Sequence, residues 1–278
     1  MIERLSFTRD WKQAAACPAA WHAQRVSGIY SPPPKPCYAT GSLWHAALLT
    51  PDRIPAVYAE YGDLITLQKA GKTGQKGDPN ADARQAVADG IYTRSVPQVA
   101  EMLEGGRCEV AVEWECGGLP WVCHVDLLAA DGCVLDGKTC KDITGTQWSP
   151  VQRRYIPWHE ALLYWHQLAV YRRALGPETV PAVGLIACQS TADIPDVRVI
   201  ASVEGDEDIL DQYAALVEKS MSEPWESPLT GLKLPPFRAM MAAPLADMLR
   251  CEEPDCGWCR RSRQNVVFPH RLSRAAGL

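Results

Sequence analysis

WVCHVDLLAADGCVLDGKTC, residues 121–140, decides how the chain is read. It contains two runs of alternating character on either side of Asp131-Gly132, a dipeptide suited to a tight hairpin turn. His124 and Asp126 are two apart, so on a strand they share a face; Asp136 and Lys138 do the same on the next run. Folding the runs against each other brings Asp126, Asp136 and Lys138 to one surface. Val125, Leu127 and Leu135 then face the opposite way. Upstream, RCEVAVEWEC (107–116) has the same period, and Gly117-Gly118 supplies a second turn. The three runs predict an antiparallel meander.

Charged side chains in so apolar a setting need a reason, because a buried charge is costly unless it is paired or binds metal. Two carboxylates a few ångströms apart repel, and a divalent cation resolves the repulsion. Hard oxygen donors suit Mg²⁺ or Mn²⁺. Such an ion polarises a phosphodiester and acidifies a bound water. A lysine beside it can orient or help deprotonate that water and offset charge in the transition state. A bare Asp-x-Lys is more often a strand-surface salt bridge, so the wider context has to decide.

Working outward, residues 8–25 predict a helix broken at Pro18, followed by a proline-rich loop. Thr40 is a candidate cap for a helix over GSLWHAALLTPD that stops at Pro51. Residues 52–80 read as mixed and partly irregular, and 81–105 as helical up to Gly105-Gly106. After the meander comes a polar stretch, then one long amphipathic helix from about Pro157 to Leu175. AVGLIAC and DVRVIASV are strand candidates, and 206–221 is helical in character. Helices, meander, helix and strands in this order make an α/β domain on a mixed sheet.

The chain has 278 residues, 47% of them hydrophobic, which is enough for a sizeable core. No apolar run approaches the roughly 18 residues of a membrane span, and the N-terminus has no signal-like apolar region. The expected location is the cytosol, with no membrane partner. The net charge of −5 excludes a uniformly basic coat and confines any phosphate contact to local patches. Candidates are Arg153-Arg154, Arg172-Arg173 and the arginine-rich tail from Arg260 onward.

Taken together, D-(x)9-D-G-K-T after a meander resembles the core of the PD-(D/E)XK nuclease superfamily, and three further features resemble its RecB-like and RecE-like branch. Gly41-Ser42-Leu43-Trp44-His45 resembles the G-x-x-x-H helix, which implies that His45 joins Asp126 and Asp136 as a metal ligand. Tyr164, Gln167 and Tyr171 fall on one helix stripe. They resemble the Q-x-x-x-Y motif, implying that Gln167 and Tyr171 support the catalytic strand, with Tyr164 beside them. Glu113 resembles an acidic residue often found in the strand before the first aspartate, and Glu115 shares its face. One departure is His124, where relatives usually carry arginine or lysine. Glu113, His124 and Tyr164 are therefore expected to surround the site rather than to form it.

Eleven cysteines are present. Cys108, Cys116, Cys123, Cys133, Cys140 and Cys188 lie in or beside the strand candidates and read as apolar fillers. The ends differ. ACPAAWH near the N-terminus and RCEEPDCGWCRR near the C-terminus resemble the iron–sulfur members of the branch, found among CRISPR-associated and AddB-type nucleases. That resemblance implies a [4Fe–4S] cluster on Cys17, Cys251, Cys256 and Cys259. Zinc is the alternative ion and Cys37 the alternative to Cys17. The spacing departs from the family pattern, because the extra cysteine precedes the C-x-x-C.

The resemblance thus implies a restriction-endonuclease-like core over about 38–205 within one nuclease domain, 1–278. The helix at 8–25 and the segment 245–265 would be joined by the cluster. It implies a Mg²⁺- or Mn²⁺-dependent deoxyribonuclease, similar to phage-type exonucleases that resect double-stranded DNA from free ends for recombination. A single-strand annealing protein and further copies of the chain would be its partners. Two other readings compete: a DNA-binding or assembly subunit that keeps the fold without cutting, and a zinc-stabilised RNA-binding protein. The second lacks an aromatic and basic platform in the terminal region.

Overall fold

The computed structural model describes residues 4–71, 74–190, 194–248 and 259. Its centre is a five-stranded sheet in the order β1-β2-β3-β6-β7. The meander forms as expected: β1 is Arg107–Cys116, β2 Leu119–Leu128 and β3 Val134–Cys140. β6 (Val183–Gln189) pairs parallel with β3, and β7 (Asp196–Ala201) closes the far edge antiparallel to β6. The sheet is mixed, as the pattern predicted.

Ten α-helices surround it among the described residues: α1 (Lys12–Ala16), α2 (Pro18–Trp21), α3 (Pro36–Leu49), α4 (Ile54–Ile65), α5 (Ala81–Ser95), α6 (Pro97–Leu103), α7 (Trp158–Ala161), α8 (Tyr164–Leu175), α9 (Glu207–Lys219) and α10 (Phe237–Ala242). The N-terminal helix breaks at Cys17, whose backbone is extended immediately before Pro18. This is where proline forbids the helical conformation of its predecessor. Asn80 caps α5 by accepting from the Ala83 N–H at 2.9 Å, worth about 1 kcal/mol.

Two apolar layers sandwich the sheet. One face packs α8, α9 and the N-terminal helices around Trp11, Trp21, Trp121, Leu168 and Phe237. The other packs α3 and α6 around Trp44, Leu48, Val99, Leu127 and Ile186. Each fully buried large side chain contributes on the order of 2–3 kcal/mol. A smaller cluster (Ala39, Leu43, Ile65, Ala83) ties α3 to α4 and α5.

Several expectations need correction. Thr40 does not cap its helix: α3 starts at Pro36, and the Thr40 hydroxyl donates to the Pro36 and Cys37 carbonyls. The stretch 52–80, read as mixed and partly irregular, resolves into α4 followed by loop. The polar stretch after β3 is a hairpin of β4 (Thr146–Ser149) and β5 (Arg154–Pro157). The long helix from Pro157 is interrupted: Leu163 sits at φ 60, left-handed and non-glycine, and separates α7 from α8. That conformation costs about 1–2 kcal/mol. Leu163 is buried, and the neighbouring Leu162 carbonyl accepts a hydrogen bond from the Lys12 ammonium.

Candidate active site

The Gly117-Gly118 turn, with both residues at positive φ, starts the β1–β2 ladder at Cys116↔Leu119. Counting back along it sets Cys108 against Leu127 and Val110 against Val125, with Glu109 and Asp126 left between these two pairs. Here the alternation slips. Val110 and Val125 pack on the α8 layer, whereas Cys108 and Leu127 pack on the α3 layer. Glu109 takes up the slip with φ 55. Strict period two had put Val125 and Leu127 on one face; the slip separates them and turns Glu109 and Asp126 towards α3.

β2 and β3 are bonded only through Leu127↔Leu135 and Leu128↔Val134, then fork. At the fork the Gly137 N–H, which would otherwise lose its ladder partner, donates to Asp126 Oδ2 at 2.8 Å. A Cβ on Gly137 would stand 3.0 Å from the Trp44 ring, so α3 lies close against this point.

Two groups of side chains meet at the fork. In the first, His45 from α3 bridges two carboxylates: Nε2 lies 2.9 Å from Asp126 Oδ2 and Nδ1 3.1 Å from Glu109 Oε1. Burial alone would discharge the imidazole. The hydrogen bonds and charges of Asp126 and Glu109 outweigh it and hold His45 protonated, up to about 10. Burial likewise opposes the Asp126 carboxylate, and His45 overcomes it, so Asp126 is held below its ordinary value.

In the second group, Asp136 and Lys138 project from β3 towards α8. Asp136 is 1% exposed, and burial lifts its carboxyl to about 7 even though Lys138 pulls it down. Gln167 spends both amide hydrogens here, donating to Asp136 Oδ1 at 3.0 Å and to the Tyr171 phenol oxygen at 2.7 Å. The other oxygen, Oδ2, accepts no well-formed hydrogen bond and faces the Lys138 ammonium. Burial disfavours that ammonium, but Asp136 and then Asp126 hold it above its ordinary value. The Tyr164 ring lies beneath it at 5.0 Å and also carries Lys12 at 4.7 Å. Burial, and then the Lys138 charge, lowers Lys12 to about 8.

His45, Glu109, Gly137, Lys138 and Tyr164 line a cleft of ≈ 710 Å³. The donor chemistry, three carboxylates and one imidazole, with the buried Asp136 oxygen held against Lys138, fits a hard divalent ion. Among the described residues no three His, Cys, Asp or Glu side chains are gathered into a ready coordination shell. They are instead neutralised by each other and by Lys138.

The structure therefore brings together His45, Asp126, Asp136, Lys138, Gln167, Tyr171 and Tyr164. Glu113 is not among them. It lies four residues, roughly 13 Å, along β1 from Glu109, is exposed, and pairs with Arg4. His124 is exposed too, in a shallow groove with Thr8, Arg9 and Tyr171. Glu109 takes the place expected of Glu113. By periodicity the two are equivalent, and only the register counted from Gly117-Gly118 distinguishes them. Lys12 had no local signal, because its partners are 150 residues away.

At the chain ends, Cys17 and Cys259 are buried with their sulfurs 3.5 Å apart. Cys37 is exposed, and Cys251 and Cys256 lie outside the described residues. No helix among those residues is long and apolar enough to cross a membrane.

Among solved structures, one described as "Putative exonuclease" from Eubacterium rectale superposes with a TM-score of 0.72 at 17% identity, covering 99% of this chain and 94% of that one. That likeness is one of fold. A chain named SSO0001 reaches a TM-score of 0.27 at 13% identity, covering 70% and 82%, too low to carry an argument. No curated protein matches. The family model described as a PDDEXK-like domain of unknown function (DUF3799) matches residues 6–227, most of the chain, and the fork with its paired carboxylates and lysine sits within that span, so this chain belongs to the PDDEXK-like DUF3799 family.

Proposed function

We propose that the chain, as one nuclease domain, is a divalent-metal-dependent deoxyribonuclease, an exonuclease similar to RecE that resects double-stranded DNA from its ends. The observation that carries this reading is the fork, where Asp126, Asp136 and Lys138 meet with a separate support for each carboxylate. The Eubacterium rectale protein's description as an exonuclease supports it.

Asp126 and Asp136 would hold a magnesium or manganese ion, with His45 and Glu109 beside them. Bound there, the ion would polarise the scissile phosphate and acidify a water. Lys138 remains an ammonium in this setting, so its part is to orient the nucleophile by hydrogen bonding and to offset negative charge as it develops. Gln167 fixes Asp136, and His45 with the Gly137 N–H fixes Asp126. A fixed carboxylate costs less reorganisation in the transition state. An annealing protein to receive the single strand and a homo-oligomeric assembly belong to the same reading.

For the cysteines we adopt a [4Fe–4S] cluster on Cys17, Cys251, Cys256 and Cys259, with zinc as the alternative. The buried approach of Cys17 to Cys259, far longer than a disulfide bond of about 2.05 Å, supports a metal held between these two segments. Its closeness to the ~3.8 Å edge of a thiolate tetrahedron around one ion favours the zinc alternative, because each thiolate of a [4Fe–4S] cluster binds a separate iron. Iron analysis and visible absorption after anaerobic purification test it, and a colourless, iron-free protein overturns it.

The test of the nuclease reading is degradation of end-labelled linear and circular DNA with Mg²⁺ or Mn²⁺. Linear DNA is expected to be degraded by the wild type, and Asp126→Ala to lose cleavage while staying folded. Wild-type-like cleavage by that variant overturns the site. Tight DNA binding by a wild type that never cuts would favour the non-cleaving subunit instead.

A further inference from the structure

The β4–β5 hairpin is the part of the fold that this chemistry leaves unused. Trp148 and Tyr155 face each other across it and make an edge-to-face pair, ring centroids 5.6 Å apart. Their strand neighbours Ser149 and Ile156 are buried, so the hairpin has an inner face. The two aromatics belong to the outer one, at 53% and 69% exposure. Large aromatic surface is normally among the first to be buried, so a paired display of it towards solvent calls for an occupant.

The surroundings specify the charge of that occupant. Residues 143–159 contain no Asp or Glu, in a chain whose net charge is −5. They do contain Arg153 and Arg154, both exposed at the hairpin turn. Arg153 sits at φ 51, a conformation few non-glycine residues adopt. Arg154 is steadied by Nε donating to Gln152 Oε1 at 3.0 Å.

The hairpin is also continuous with the candidate active site. β3 ends two residues past Lys138, and the chain then turns into the hairpin. Its root is held at both ends. The Ile143 N–H donates to Gln189 Oε1 at 2.7 Å, and the Trp158 indole donates to the Ile143 carbonyl at 3.1 Å. Trp158 then packs edge-to-face on Tyr164, 5.6 Å away, the same ring that lies under Lys138. Four residues of strand project the hairpin roughly 13 Å from that root.

We infer that the Trp148–Tyr155 hairpin is a stacking platform for unpaired bases of a single DNA strand adjoining the cleft, with Arg153 and Arg154 on its phosphates. Paired bases keep their faces inside the duplex, so exposed aromatics recognise single-stranded DNA, and stacking of this kind tolerates any sequence. The inference rests on the nuclease reading for the identity of the nucleic acid and adds where the strand runs.

The experiment compares wild type with Trp148→Ala/Tyr155→Ala, both folded by circular dichroism, using a short oligothymidylate carrying 2-aminopurine and no divalent metal. The expected result is quenching of 2-aminopurine by the wild type. In the double variant the quenching should vanish and affinity fall about tenfold or more. Trp148→Phe/Tyr155→Phe should keep most of the binding. In cleavage of DNA with single-stranded ends, KM should rise with the affinity loss while kcat moves little. If the double variant binds, quenches and cleaves like a wild type that cuts DNA, the hairpin inference is overturned and the nuclease reading stands. If the wild type binds through the hairpin yet never cuts, the nuclease reading falls and the platform survives. A variant that loses only self-association, with DNA binding intact, makes this face a contact between copies and overturns the inference.

Discussion

The two halves of the fork solve the same problem in opposite ways. On the α3 side, one imidazolium stands between two carboxylates, Glu109 and Asp126; His45 and Glu109 line the cleft, and all three side chains are partly exposed. On the α8 side, one almost fully buried carboxylate, Asp136, stands between an ammonium and a neutral amide that is itself tied to Tyr171. The first half carries surplus negative charge and can exchange partners. The second is close to neutral and locked in place. Under the proposed function, this contrast makes a division of labour, with the α3 half adjusting to an incoming cation and the α8 half holding β3 still.

The comparison breaks most severely at the buried carboxylate. Asp136→Asn should lower DNA cleavage by at least about 10²–10³-fold, measured as initial rates on end-labelled DNA, with the protein still folded but its melting temperature lowered, because the Lys138 ammonium loses the carboxylate that pairs it. Loss of folding would instead make Asp136 a structural group.

Next comes the other half. Glu109→Gln should weaken activity about 10–100-fold and move the His45 imidazole downward in metal-free protein, read by NMR titration. Glu113→Gln, on the same strand but paired only with Arg4, should leave the rate within about twofold, because exposed ion pairs contribute little. Equal effects from the two glutamates would refute the register argument. Gln167→Ala should cost about tenfold and Gln167→Glu more, since it sets a second carboxylate against Asp136.

The smallest expected effect is on stability alone. His166 is on α8 beside Gln167, stacked on Tyr213, and burial followed by the Lys12 charge lowers it to about 4. Because the folded state resists the proton that the unfolded state accepts near 6.5, its contribution is intact above pH 6.5. It is lost as pH falls towards 4, by about 3 kcal/mol. His45 has the opposite sign: raised to about 10, it favours the folded state below pH 6.5 and loses that contribution as pH rises through 10. His166→Phe should flatten the acid limb of a urea-unfolding series, and an unchanged limb would argue against the burial account.

What could be read from the chain followed the range of the interactions. The meander, β6, α9 and the convergence of Asp126, Asp136 and Lys138 rest on period-two or helical spacing and on glycine turns, all local, whereas Gln167 and Tyr171 joined that group only through the resemblance to the Q-x-x-x-Y motif, the Gln167 contact with Asp136 spanning 31 residues. Glu109, which meets His45, gives no signal that sets it apart from Glu113, which pairs with Arg4, because alternation makes them equivalent and only register separates them. The β4–β5 hairpin passed for a polar loop because its aromatics face outward, reversing the usual pattern. The break at Leu163 left no mark, since a leucine in the left-handed region looks like any helical leucine. Lys12 depends on a carbonyl 150 residues away, beyond the reach of any window.

That last contact belongs to a wider arrangement. The Trp11 indole donates to Ser220, and Ser227 donates to the Ala15 carbonyl. The segment around Trp11 and Ala15 is thus seated on residues more than 200 positions further along. During synthesis it waits, apolar and without its seat, until Ser220 and Ser227 have followed it, and a product ending before them would carry Asp126, Asp136 and Lys12 but leave the helix of Lys12 without that seat.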